Sequence, residues 1–218
     1  MDKRLNAIIS CVAKCNTLAD IGTDHGLLCL NALTSQKASR VIATDISEKS
    51  LQKAITLLTE NGYESKSDFR VGDGISVLDK DEADVIVVSG MGGREICKMI
   101  CSANGFKSSF VLSPQSDVSL VRRTLVENGY KITKDFIVLS CAKYYDVISA
   151  CLGEDFYTEF ECEYGKNELR KQSEDYLSFL NKEIEKAKNL SLLSKKSEEK
   201  FLKRAKDLLK IKSEIYGG

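Results

Sequence analysis

Length, composition and charge place this chain among ordinary globular proteins. It has 218 residues, of which 43% are hydrophobic, enough for the core of one α/β domain with an appendage and too many for a disordered protein. Its 32 basic residues balance 32 acidic ones, so no overall field would recruit nucleic acid. Residues 1–4 lead into a helical pattern rather than the apolar core of a signal peptide, and no apolar run approaches membrane-spanning length. We therefore expect a cytoplasmic protein without membrane contact.

The hydrophobic pattern alternates between helical and strand periods from residue 1 to about residue 152. Such alternation predicts a doubly wound, Rossmann-like α/β fold. The last two predicted strands follow each other directly and are expected to pair antiparallel. The predicted helices cover 5–12, 27–34, 47–61, 95–101 and 118–128, and the predicted strands cover 17–21, 41–44, 69–71, 83–88, 109–112, 130–138 and 144–151.

Acidic residues and a glycine stand where the first two predicted strands end. Asp20 and Gly22 close the first strand, and Asp45 closes the second, about 20 residues further along the chain. In a Rossmann-like βαβ unit the first turn lets the backbone approach a nucleotide cofactor, and the second acid accepts hydrogen bonds from ribose hydroxyls. The spacing therefore predicts a nucleotide-cofactor site, although an ordinary βα turn would leave the same pattern.

The kind of cofactor follows from a departure from the dinucleotide motif. The first turn has two glycines rather than three, and Asp24 lies between them, where its charge would repel a diphosphate. S-adenosylmethionine has no phosphate, and carboxylates attract its ammonium and sulfonium groups. The pattern therefore favours S-adenosylmethionine over NAD.

Two further glycine-rich segments follow the third and fourth predicted strands. Asp73, between Gly72 and Gly74, is expected to accept from an adenine amino group, while a plain turn would explain the triplet equally well. The run Gly90-Met91-Gly92-Gly93 has little side-chain bulk, so a flat substrate would reach the cofactor's methyl group there. Each segment ends a strand at the carboxyl edge of the predicted sheet, where open α/β sheets bind ligands.

The histidine and cysteine content argues against a metal site. Eight cysteines are spread along the chain without a Cys-x-x-Cys pair, and His25 is the only histidine. We interpret the cysteines as small buried hydrophobic residues. His25 borders the first turn, where it would act as a base or as a structural or cofactor-contacting residue, and we assign it no catalytic role.

The pattern changes after Gly153. Segments 166–190 and 194–215 are charged, free of proline and carry apolar residues at helical spacing, which predicts an antiparallel, coiled-coil-like helical pair joined at about 189–194. Residues 195–212 hold a surplus of basic side chains that would attract phosphates, with a solvated helical face as the alternative.

Together these motifs resemble one family, the bacterial tRNA (adenine-22-N1)-methyltransferases known as TrmK. The likeness covers nearly the whole chain. The segments that carry it are Lys3-Arg4-Leu5, Ala19-Asp20-Ile21-Gly22-Thr23-Asp24-His25, Gly72-Asp73-Gly74, Gly90-Met91-Gly92-Gly93, Leu112-Ser113-Pro114-Gln115, Glu127-Asn128-Gly129-Tyr130 and Lys143-Tyr144-Tyr145-Asp146.

The resemblance implies a class I (Rossmann-like) methyltransferase domain over residues 1–153 and a helical domain over residues 154–218 that helps to hold tRNA. It also implies transfer of a methyl group from S-adenosylmethionine to N1 of adenine 22 in the D-arm, by direct displacement. Since the ring nitrogen is already neutral at about pH 7, such an enzyme needs orientation and charge stabilisation rather than a strong base. The target base must be unpaired or flipped from its stack. No metal and no obligate protein partner are expected.

The resemblance also implies roles for particular residues. The candidates for cofactor binding are Arg4, Asp20, Gly22, Thr23, Asp24, His25, Asp45, Ile46, Asp73, Gly74, Gly90, Met91 and Gly92. The catalytic candidates are Asp24, Met91, Pro114 and Gln115. The candidates for tRNA contact are Lys195, Lys196, Lys200, Lys203 and Arg204.

The chain departs from the family pattern at two places. Leu27 stands where the family has a tyrosine that could stack on the target base, and Ser113 and Gln115 stand where it has glutamine and asparagine. Two other interpretations stay open. One is a methyltransferase for a small molecule or a protein, in which the helical pair serves dimerisation. The other is a non-catalytic protein that binds S-adenosylmethionine or RNA.

Overall fold

One mixed sheet forms the centre of the molecule. The structure is a computed structural model that describes residues 2–103, 105–170, 173–193 and 197–217. Its strands are β1 (Cys15–Ile21), β2 (Ala38–Asp45), β3 (Ser67–Val71), β4 (Val85–Ser89), β5 (Ser109–Ser113), β6 (Tyr130–Ser140) and β7 (Lys143–Leu152). They lie in the order β3-β2-β1-β4-β5-β7-β6, in which β7 runs antiparallel to both of its neighbours and the pairs among the first five strands are parallel. The predicted α/β class and the antiparallel final pair are confirmed.

Helices cover both faces of this sheet. In the described residues they are α1 (Lys3–Cys11), α2 (Leu27–Thr34), α3 (Glu48–Glu60), α4 (Gly93–Ser102), α5 (Val118–Glu127), α6 (Glu159–Tyr164), α7 (Glu174–Leu193) and α8 (Glu198–Tyr216). Helices α1 to α3 pack on one face, and α4 and α5 pack on the other. In β4, Val85 and Val87 pack in the core beneath α1 to α3, while Ile86 and Val88 pack in the core beneath α4 and α5. This apolar strand is therefore covered on both sides.

Capping side chains and a glycine determine where helices α1, α3 and α4 begin, next to the segments predicted to bind a cofactor. Asp2 caps α1 by accepting from the backbone N–H of Arg4 at 3.0 Å, and Ser47 caps α3 in the same way. Helix α4 begins at Gly93, where a Cβ atom would lie 2.3 Å from the carbonyl oxygen of Ser116. Part of the glycine run after β4 therefore serves close packing against the segment that leads into α5.

Helices α7 and α8 follow the last strand in the chain and pack antiparallel to each other. Tyr216 Oη donates to the carbonyl of Ser173 at 2.8 Å, and Lys212 Nζ donates to Asn181 Oδ1 at 2.8 Å. Their apolar residues form a third core that includes Ile137 of β6.

The prediction of one helix over 166–190 is wrong at its start, because α7 begins at Glu174 and a separate short helix lies before residue 166. Helix α6 precedes α7, beginning at a capping box between Thr158 and Glu161 and ending at Gly165, which has a φ of +80°. Helix α6 has only 6 residues, too few to show helical periodicity in the sequence. The division into domains at residues 153 and 154 stays a prediction.

The cysteines do not all behave as buried hydrophobic residues. Cys101 and Cys141 are exposed, which contradicts that interpretation for these two, and Cys141 occupies the turn between β6 and β7 with a φ of 48°.

Two kinds of feature are missing from the part of the chain that the structure describes. Among the described residues there is no helix long and apolar enough to cross a membrane. The described residues also contain no cluster of three or more His, Cys, Asp or Glu side chains that could hold a metal ion.

Candidate active site

A cleft of about 580 Å³ opens at the carboxyl edge of the sheet. It lies beside the ends of β1, β2 and β4, where the strand order reverses direction on either side of β1. Open α/β sheets bind ligands at such a switch point. The lining residues are Asp2, Arg4, Leu5, Ile8, Asp20, Gly22, Thr23, Asp24, His25, Leu27, Leu28, Asp45, Ser89, Gly90, Met91 and Gln115.

The cleft brings together most of the residues that the sequence analysis predicted for cofactor binding and catalysis. Some of the predicted residues lie elsewhere. Ile46 is 73% exposed and does not line it, Gly92 caps α4, and Pro114 is buried. Asp73 and Gly74 line a neighbouring cavity of about 490 Å³ together with residues of α4.

Asp20 is the most deeply buried acid of the cleft. It is 4% exposed, and its Oδ2 accepts from Thr23 Oγ1 at 2.7 Å and from Cys29 Sγ at 3.7 Å. Burial raises the pKa of Asp20 to about 6, and the nearby Asp45 carboxylate adds to the increase, while the two hydrogen bonds oppose it. A positively charged ligand group would therefore stabilise the ionised form of Asp20.

Asp24 lies at the mouth of the cleft in a left-handed backbone conformation, with a φ of 46°. Its carboxylate is 58% exposed and lies 3.3 Å from His25 Nε2 and 3.4 Å from Lys53 Nζ. Exposed pairs of this kind are weak, so Asp24 can exchange these partners for a ligand.

Asp45 ends β2 with its carboxylate bound to backbone. Oδ1 accepts from the N–H of Ser47 at 2.8 Å, and Oδ2 accepts from the N–H of Asp24 at 3.3 Å. These contacts fix the carboxylate at the strand end, and its remaining lone pairs can accept from ligand hydroxyls.

Gly22 and Met91 meet across the cleft. Gly22 has a φ of +75°, and a Cβ atom there would lie 2.3 Å from the terminal methyl carbon of Met91. The positive φ favours glycine here, and any larger residue would also require the flexible end of Met91 to move. The geometry explains why the first turn carries a glycine directly after the β1 strand.

Arg4 reaches the cleft wall from α1 and is held on several sides. Its Nε donates to Ser113 Oγ at 3.3 Å, its Nη2 donates to Ser89 Oγ at 3.4 Å, and its guanidinium lies 4.5 Å from the ring centre of Tyr145. Sequence reasoning missed Ser89, Tyr145 and Asp2 as parts of this wall. The position of Ser89 directly before the glycine run was the available signal for that residue.

The electrostatics of the lining favour a cationic ligand without phosphates. The carboxylates of Asp2, Asp20, Asp24 and Asp45 border the cleft, against the one guanidinium of Arg4. Acids in this excess repel a diphosphate and attract ammonium or sulfonium groups.

The residues nominated for tRNA contact divide into three groups. Lys195 and Lys196 lie outside the described residues. Lys200 and Lys203 are exposed on α8. Arg204 is partly buried and pairs with Glu163 at 3.0 Å and with Glu183 at 3.2 Å, so its charge is already engaged within the protein.

Comparisons with known proteins agree with this geometry. The tRNA (adenine(22)-N(1))-methyltransferase of Bacillus subtilis (strain 168) is 30% identical over 157 residues, which cover 71% of this chain and 66% of that protein. The chain spans slightly less than two thirds of the length of the curated relatives it matches. The match with the B. subtilis protein confirms the resemblance to the TrmK family that the motifs indicated.

Two solved structures share the fold over almost the whole chain. M. capricolum TrmK in complex with S-adenosyl-homocysteine superposes with a TM-score of 0.85 at 22% identity, covering 99% of this chain and 98% of that one. The B. subtilis M1A22 tRNA methyltransferase TrmK superposes with a TM-score of 0.84 at 22% identity, covering 97% and 98%.

A family described as a methyltransferase domain matches residues 1–148. That span runs from α1 into β7 and contains every residue that lines the cleft. Fold, cleft and sequence match thus lead to one conclusion, that this chain belongs to the methyltransferase-domain family.

Proposed function

We propose that this chain transfers a methyl group from S-adenosylmethionine to N1 of adenine 22 in the D-arm of tRNA, in the cytoplasm. The observation that carries the proposal is the acid-lined cleft at the switch point, with Asp20 and Asp45 at the ends of neighbouring strands. The choice of substrate is supported by the name of the B. subtilis relative at 30% identity.

The lining residues suit each part of S-adenosylmethionine. Asp45 would accept from the ribose hydroxyls, because its carboxylate is fixed at the end of β2. Asp20 and Asp24 would offset the positive charge of the ammonium and sulfonium groups. Arg4 would bind the carboxylate as the one guanidinium in the lining. We propose Asp73 as a partner of the adenine amino group only if the ligand extends into the cavity that Asp73 lines.

The chemistry needs little from the protein beyond placement. Bound S-adenosylmethionine supplies an electrophilic methyl group. Ser89 and Gly90 leave open space at the end of β4, and the exposed amide of Gln115 lies beside them, where it can hydrogen-bond to the edge of a base. Asp24 would stabilise the positive charge that develops on the adenine ring. Met91 would exclude water from one side of the reacting groups.

The helical pair would hold the RNA by its backbone. Lys200 and Lys203 present exposed ammonium groups on α8, which can neutralise phosphates without reading sequence. RNA shape, rather than base contacts on these helices, would then select the substrate.

The proposal is tested with methyl-labelled S-adenosylmethionine and unmodified tRNA transcripts, followed by digestion to nucleosides. We expect label in 1-methyladenosine, no label when adenine 22 is replaced by guanine, and loss of label in Asp20→Asn. Label in another nucleoside, or in the transcript that lacks adenine 22, would contradict the proposed position.

The same assay separates the competing interpretations. Leu27 is 50% exposed at the cleft mouth, where the resembling family has an aromatic ring, so base placement here depends on other residues. Binding of S-adenosylmethionine without label on any RNA would favour a non-catalytic protein or a methyltransferase for another substrate.

A further inference from the structure

The segment Lys143-Tyr144-Tyr145-Asp146 of β7 sends its side chains to three different parts of the protein. Tyr144 faces α7, with its hydroxyl 2.7 Å from Ser178 Oγ. Asp146 pairs with two buried arginines behind the sheet. Tyr145 lies on the other face and packs with the core of α1 to α3. Of these side chains, Tyr145 is the one in contact with Arg4, and through Arg4 it adjoins the cleft.

The contacts of Arg4 leave one edge of its guanidinium available. Nε and Nη2 donate to Ser113 and Ser89 over distances of 3.3 to 3.5 Å. The Tyr145 ring lies against the guanidinium, 4.5 Å from its central carbon to the ring centre. No acceptor among the described residues bonds to Nη1. This nitrogen is therefore available to an anionic group of a ligand.

The ring is needed because of the charges around Arg4. The hydrogen bonds from Arg4 are long and go to neutral acceptors, so they hold a guanidinium weakly. Asp20, Asp24 and Asp45 line the same cleft and would attract an arginine that was free to change rotamer. A guanidinium stacked on an aromatic ring gains a cation–π interaction and is kept away from these acids.

We propose that Tyr145 is a positioning residue that holds Arg4 at the cleft wall, so that Arg4 binds the carboxylate of the cofactor's amino acid portion. This inference rests on the proposed function, because it needs an S-adenosylmethionine-type ligand in the cleft. If Arg4 were released, the carboxylate site would disappear, and an acid that the ammonium group needs would be neutralised.

The test compares two ligands by isothermal titration calorimetry. S-adenosyl-homocysteine has the amino acid portion, whereas 5′-methylthioadenosine has the same adenosine and sulfur without it. In Tyr145→Leu we expect the Kd of S-adenosyl-homocysteine to rise about tenfold, with that of 5′-methylthioadenosine within about twofold of the unaltered protein. Tyr145→Phe keeps the ring and should bind both ligands normally. Tyr144→Leu is the matched control for disturbance of β7 and should leave both Kd values unchanged.

A double-mutant cycle shows whether Tyr145 acts through Arg4. In an Arg4→Gln background, adding Tyr145→Leu should cause no further loss of S-adenosyl-homocysteine affinity. Equal weakening of both ligands in Tyr145→Leu, an unchanged Kd for S-adenosyl-homocysteine, or additive losses in the cycle would each overturn the positioning role. If the unaltered protein binds neither ligand, the proposed function itself fails. If Tyr145→Leu does not fold, Tyr145→Met, which fills more of the space of the ring but has no aromatic face, takes its place in the same comparison.

Discussion

At the scale of single residues, the acids of the cleft differ in how deeply their carboxyl groups are buried. Asp24 is exposed and has two weak partners, whereas Asp20 is buried with Thr23 and Cys29 as neutral partners. Because burial favours the uncharged form, the pKa of Asp20 rises from 3.8 to about 6. Below its pKa the carboxyl is protonated and cannot offset a cation; above it the carboxylate can.

This shift predicts a pH dependence of cofactor binding. We expect S-adenosylmethionine to bind about tenfold more weakly at about pH 5 than at about pH 8, since about one carboxyl in ten is ionised one unit below its pKa. Asp20→Asn should bind weakly at both values and lose most of the dependence. Calorimetry across this range is the measurement, and an equally steep profile in Asp20→Asn would assign the effect to another group.

At the scale of elements, a cluster of four charges connects α5, β6, β7 and the segment after α6; Arg122, Asp135 and Arg170 are buried in it, and Asp146 is partly buried. Arg122 pairs with Asp135 at 2.8 Å and with Asp146 at 3.2 Å, and Arg170 lies 2.9 Å from each of the same two acids. The two arginines balance the two aspartates. Removing one charge would leave the others buried without full compensation, which costs much more than breaking an exposed pair.

Asp135→Asn should therefore lower the free energy of unfolding by roughly 3–5 kcal/mol, as expected for a broken buried ion pair. Urea denaturation measures this change. Glu159→Gln, which breaks the exposed pair with Arg123, is the control and should change stability little. A small effect of Asp135→Asn would mean that the remaining charges rearrange or that water enters the cluster.

At the scale of the whole molecule, the β6–β7 hairpin joins the cleft to the helical pair. Ser140, at the end of β6, donates to Asp2 of the cleft wall. One residue earlier, the N–H of Leu139 donates to Asp175 of α7 at 2.9 Å. The tertiary structure thus gives the helical pair a direct attachment beside the cleft, so a bound RNA could contact both.

Reversing charge on α8 should weaken RNA binding without affecting the cleft. The double variant Lys200→Glu/Lys203→Glu is expected to bind tRNA more weakly and to reduce the slope of log affinity against log salt by roughly one for each phosphate that the protein no longer neutralises. Its Kd for S-adenosyl-homocysteine should stay unchanged. Lys131→Glu is the control, because Lys131 lies at the start of β6, at the edge of the sheet opposite the cleft. Equal weakening in the control would show that total charge, rather than α8, governs binding.

The sequence alone determined the α/β class, the strand ends and the acids at them. The reason is local: alternating apolar patterns of strand and helical period dictate the elements, and parallel strands must bring Asp20 and Asp45 to one edge. Glycine at position 22 was also readable, since a turn after a strand needs its conformational freedom.

Only the tertiary structure decided which residues share the cleft. Asp73 lies close to the end of a strand, as Asp20 does, yet it lines a different cavity, because β3 is at the sheet edge and the adjoining α4 shapes that space. Arg4 and Tyr145 are far apart in sequence, and their stacking arises only because α1 packs across the face of β7. Such contacts depend on how distant elements pack, which no local pattern of residues encodes.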